Sequence, residues 1–124
     1  MYEEDIIKYL LKVCEGLHPF YISRIAALLD MEYIKERGNK LTDFDYQKMQ
    51  YGFYSTKLPA MIEKIGVEKV QSENGNYVKL KGDVEIHLPD EIKARIERIL
   101  DEVCNMSEDE LNKKVLTSPY YSQL

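Results

Sequence analysis

The chain has 124 residues, 44% of them hydrophobic and 31% charged, which fits one soluble globular domain burying roughly two thirds of the surface its unfolded chain exposes. No apolar run approaches the ~20 residues that span a bilayer, and the acidic start MYEEDIIKYLLK lacks the positive segment of a secretory signal, so a cytoplasmic location is expected. The net charge of −5 lies wholly in the last third, since residues 1–82 carry 12 Lys/Arg and 12 Asp/Glu while 83–124 carry 5 and 10, and this argues against phosphate-backbone binding.

The spacing of Ile6, Ile7, Leu10, Leu11 and Cys14 predicts a first helix over about 3–15. Glu3, Glu4 and Asp5 favour its N-terminal dipole, and Gly16 and Pro19 end it. A second helix over about 21–37 presents Ile22, Ile25, Ala26, Leu29 and Tyr33 on one face. With few charges before Asp30 it is expected to be the most buried element, and Gly38-Asn39 stops it.

Thr42, followed three residues on by Asp45, with Leu41 and Tyr46 at staple spacing, predicts a short helix that ends at Gly52. A further helix begins after Ser55 or Thr56, with Pro59 in its first turn and Leu58, Met61, Ile62 and Ile65 facing inward. Strands over 67–71 and 77–81, joined through Asn74-Gly75, predict a β-hairpin, and 84–88 alternates as a third short strand.

A long helix over about 89–105 turns Ile92, Ile96, Ile99, Leu100 and Val103 inward. Ser107 and Glu110 form a capping box with a Met106–Leu111 staple, opening a last helix that ends near Thr117, before a Ser118-Pro119-Tyr120-Tyr121 tail. The expected fold is therefore mainly α (α+β): five or six helices with a small antiparallel hairpin in one domain over 1–124, winged-helix-like in order over the first two thirds.

No residue set points to catalysis. Cys14, Cys104, His18 and His87 lack metal-ligand spacing, and core thiols with surface histidines account for them. Nothing basic adjoins either cysteine to generate a thiolate, and the glycines form no phosphate cradle. The expectation is a non-enzyme without cofactor or metal. Whether the cysteines bond to each other, and whether the chain forms a homodimer, stays open.

The 22–65 stretch carries the functional reading. Tyr46, Tyr51, Phe53 and Tyr54 gather around Gly52 in too short a segment to bury every ring on one face. Half-buried tyrosines suit interfaces, because the ring supplies area while the hydroxyl stays wet. Tyr51 in the core with Phe53 or Tyr54 exposed is the expected split, and closure of the core by all the rings is the competing explanation. The rival function is DNA binding through a winged helix, using Lys57, Lys64, Lys69, Lys79 and Lys81. Three glutamates in 55–82 and the absence of Arg there weigh against it.

The order helix, helix, GNKLTDFDYQKMQYGFYS, helix, hairpin, helices, DELNKKVLTSPYY resembles the Panacea domain, the SocA-like antitoxin family of bacterial, archaeal and phage toxin–antitoxin systems. The positions that carry the resemblance are 25–33, 38–41, Tyr51-Gly52-Phe53-Tyr54, Glu110-Leu111 and Leu116-Thr117. The chain departs from the family at Phe53, where Pro is preferred, and at Ser118, where His is frequent. The resemblance implies a mostly helical antitoxin that neutralises a toxin, encoded nearby, by binding it; some relatives instead deliver the toxin to a protease.

Overall fold

The second helix, α2 (Pro19–Arg37), is the axis on which the other helices pack. Every residue from Ile22 to Met31 is buried, as are Tyr33 and Ile34, so this helix is covered nearly all round. The His18 Nδ1 accepts the Phe20 N–H (3.1 Å) at its start, and Pro19 follows where a missing N–H costs nothing. Gly38, at φ 81°, closes it with its N–H on the Ile34 carbonyl (2.9 Å).

The computed structural model describes residues 2–49, 52–73 and 75–124, with the backbone alone described at 48, 49 and 52–54. The order is α1 (Glu3–Val13), α2, β1 (Tyr46–Met49), β2 (Gly52–Ser55), α3 (Leu58–Ile65), β3 (Val67–Ser72), β4 (Gly75–Leu80), α4 (Asp90–Val103), α5 (Glu108–Leu116) and a 3-10 turn at Tyr121–Gln123. It is a mainly α, compact α+β fold. Each helix contributes one stripe to a single core: Ile6, Ile7, Leu10 and Leu11 from α1, Leu58 and Ile62 from α3, Ile92, Ile96, Ile99 and Val103 from α4, Leu111 and Val115 from α5.

The β3–β4 hairpin pairs Val67 with Leu80 through to Ser72 with Gly75. Its β4 edge is taken up by the chain before α2, where Leu17 and Val78 exchange N–H···O bonds of 3.0 and 2.9 Å. Gly16 (φ 118°) makes that approach possible, because a Cβ there would stand 2.7 Å from the Tyr77 ring.

Several expectations are corrected. Thr42 starts no helix: its hydroxyl donates to Asp30 in the core, and Tyr46–Met49 and Gly52–Ser55 pair as two antiparallel strands with Tyr46 opposite Ser55 and Met49 opposite Gly52. The 84–88 segment forms no strand. It runs along α1, where the His87 N–H donates to Asp5 Oδ1 (3.1 Å) and the Lys8 ammonium to the Glu85 carbonyl (3.4 Å). Both cysteines are free; Cys14 is half-buried, but Cys104 is exposed at the end of α4 rather than on its apolar face. His18 is half-buried and caps α2, while His87 is exposed.

Candidate protein-binding hairpin

Two residues of α2 hold the β1–β2 hairpin. Ser23 and Asp30 are seven positions apart, two turns along the same face, so they meet the chain about 10 Å apart. The Ser23 Oγ accepts the Ser55 N–H (3.4 Å) on the β2 leg, and the Asp30 carboxylate accepts the Tyr46 hydroxyl (2.6 Å) on the β1 leg. Tyr46 and Ser55 are partners in the register, so both anchors act on one rung of the ladder.

Asp30 has no solvent exposure, and a buried carboxylate is costly unless its lone pairs are filled. Here Oδ1 accepts the N–H groups of Leu41 (3.0 Å) and Thr42 (2.9 Å), and Oδ2 accepts the hydroxyls of Thr42 and Tyr46, both at 2.6 Å. Burial pushes its pKa up, against the pull of the Thr42 and Tyr46 hydroxyls. The Tyr46 phenol is pushed well above its usual range by burial and by the charge of Asp30, so it stays a neutral donor.

The connection from α2 to β1 is tied at further points. Glu3 Oε1 accepts the Asp43 N–H (2.7 Å), and the Lys57 ammonium donates to the Asp43 carbonyl (3.0 Å). The Lys40 ammonium bonds the Phe44 carbonyl and sits 4.9 Å from the centre of the Tyr46 ring. Phe44 is fully buried and meets that ring edge-on. At the far side of the base, Asp45 accepts from Ser55 Oγ (3.2 Å) and from the Thr56 hydroxyl; the Thr56 bond leads the effects that hold its carboxyl below the usual range.

Of the aromatic set, Tyr46 belongs to the base. Gly52, Phe53 and Tyr54 form β2 opposite Met49, Lys48 and Gln47. Tyr51 lies outside the described residues, as do the side chains of Phe53 and Tyr54. β2 lies along α2, and β1 pairs with no strand but β2 among the described residues, so its other edge is open.

The five lysines of the DNA reading are scattered and largely engaged. Lys64 pairs with Glu4 (2.6 Å), Lys79 with Glu68 (3.0 Å), and Lys57 bonds the Asp43 carbonyl; Lys69 and Lys81 are exposed on and after the β3–β4 hairpin. The exposed positions of α3 are Pro59, Ala60, Glu63 and Lys64, a face without net charge. Among the described residues, no group of three or more His, Cys, Asp or Glu is placed to hold a metal ion, and no helix is long and apolar enough to cross a membrane.

Sequence reasoning missed Asp30 and Ser23 as anchors. The signal was present: an acid set between Leu29 and Met31 inside an apolar run cannot reach water and must find donors in the fold. Comparison with protein-family models, curated proteins and solved structures finds no match to this chain.

Proposed function

We propose that the chain is a non-enzymatic protein-binding module of antitoxin type, which neutralises a partner protein by occluding it with the β1–β2 hairpin. The observation that supports this reading is the anchored hairpin, with both legs bonded to one face of α2 and the β1 edge open. A ribbon held at its base loses little freedom on docking, and an open edge offers main-chain donors and acceptors to an incoming strand. The acidic last third complements a basic partner surface and raises the association rate by steering.

The toxin as partner rests on the resemblance to the Panacea domain, and the test is genetic and physical together. Each reading frame adjoining the gene is induced alone and with this chain. A growth-arresting neighbour, rescued by the parent chain, supports the reading. The Phe53→Ala/Tyr54→Ala double variant is expected to bind that neighbour at least tenfold more weakly, more than 1 kcal/mol, with folding stability changed much less. Unchanged affinity of the double variant removes the hairpin from the interface.

The winged-helix DNA reading stands second, on the α1–α2–α3–β3–β4 order and the exposed Lys69 and Lys81. It requires duplex retention that falls steeply with salt. A chain that retards no duplex at low salt excludes it.

A further inference from the structure

A cavity of about 290 Å³ lies between the start of α2, α3 and the β3–β4 sheet. Its apolar lining is Phe20, Leu58, Ile62 and Val78, with Pro19 and Pro59. Leu58, Ile62 and Val78 belong to the core and are fixed by it. The two prolines stand at helix starts, where the ring locks φ, so their part of the lining is also set in advance. A dry cavity of about 150 Å³ is enough for benzene, so this one has room for a ring or branched chain with a short polar group attached.

Two charged side chains complete the lining: Lys69 from β3 and Glu63 from α3. Both are exposed, and neither has an ion-pair or hydrogen-bond partner among the described residues. Their neighbours differ, since Lys64 is bonded to Glu4 and Lys79 to Glu68. An apolar acid entering this cavity would meet Lys69 but be opposed by Glu63, and an apolar amine would meet the reverse. A molecule bearing both charges beside an apolar group satisfies the whole lining, in keeping with binding sites that are mostly apolar with a few polar groups fixing orientation.

We propose that this cavity binds a free hydrophobic α-amino acid, its side chain against Phe20, Leu58, Ile62 and Val78, its carboxylate on Lys69 and its ammonium on Glu63. The site shares no residue with the β1–β2 hairpin, so it stands or falls apart from the protein-binding reading. It would make the chain responsive to a small metabolite as well as to a macromolecule.

The test is a titration of the full chain with L-phenylalanine, read from the backbone amide resonances of Phe20, Ile62 and Val78. The comparison probes are 3-phenylpropanoate, phenethylamine and N-acetylphenylalanine amide, which carry one charge, the other, or neither. The expected result is saturable binding of L-phenylalanine with a dissociation constant near or below about 1 mM. Each comparison probe should bind at least about fivefold more weakly. Lys69→Gln and Glu63→Gln, at exposed positions that leave the fold unchanged in the same spectra, should each weaken L-phenylalanine about three- to tenfold. Failure to saturate, equal binding of the uncharged probe (the mark of a pocket for a protein partner's side chain), or indifference to both substitutions overturns the proposal.

Discussion

Asp30 combines two features that oppose each other: burial that disfavours its charge, and four donors that require it. Removing one donor is less harmful than removing the acceptor. Tyr46→Phe removes the hydroxyl bond to a charged group and leaves the other three donors to Asp30 in place, so it should cost about 1.5–3 kcal/mol. Asp30→Ala takes the common acceptor from two backbone N–H groups and two hydroxyls in the interior, and its cost should reach about 3–5 kcal/mol. Urea unfolding of both variants at one pH checks the order; a Tyr46→Phe variant as stable as the parent would mean that the hydroxyl does not anchor the hairpin.

The hairpin as an element has two carboxylates at its base whose pH responses run in opposite directions. Asp45 titrates below the ordinary aspartate value of 3.8, chiefly because the Thr56 hydroxyl bonds its charged form, so its stabilising contribution is complete above 3.8 and is lost as pH falls through the depressed pKa. Asp30 titrates above 3.8 because burial favours its neutral form, so its contribution is greatest below 3.8 and declines as pH rises through the raised pKa. The Thr42 amide, bonded to Asp30, should therefore report a midpoint above 3.8, and the Thr56 amide a midpoint below it. Two midpoints on the same side would contradict this arrangement. Asp45→Asn should erase only the lower one.

The same element marks where the sequence is hard to read. The helices other than α2 were legible because each has an apolar stripe of helical period, and Ser107 caps α5 by accepting the Glu110 N–H at 3.1 Å. Thr42 and Asp45 imitate such a cap. What overrides the imitation is the buried acid twelve residues upstream of Thr42, a tertiary partner that no local pattern announces. The alternation at 84–88 misleads for a related reason. Its partners lie on α1, where the His87 N–H donates to Asp5 and the Lys8 ammonium to the Glu85 carbonyl, so tertiary bonds to a helix and not a ladder hold it. The aromatic cluster around Gly52 was legible as composition, but not the strand pairing that arranges its backbone.

At the scale of the whole molecule, the acidic C-terminal third must be joined to a neutral body, and Arg24 is a main tie. Its side chain, 3% exposed, lies on α2 and reaches α5, donating to Glu108 Oε1 (3.2 Å) and Asn112 Oδ1 (3.3 Å), with the Phe20 ring 5.5 Å from the guanidinium. The pair is unequal, because the Glu108 side chain is 55% exposed and its attraction is screened, whereas Arg24 bears nearly full desolvation. The packing of the Arg stem between α2 and α5 should therefore matter more than its charge. Arg24→Met keeps the stem and leaves Glu108 and Asn112 free to bond water, so it is expected to fall within about 1 kcal/mol of the parent. Arg24→Ala opens a cavity between the helices and should cost about 2–4 kcal/mol. Urea midpoints at unchanged slope separate the two cases. If Arg24→Met costs as much as Arg24→Ala, the ion pair rather than the stem joins α5 to the body, and association with a basic partner that competes for Glu108 would then loosen the fold itself.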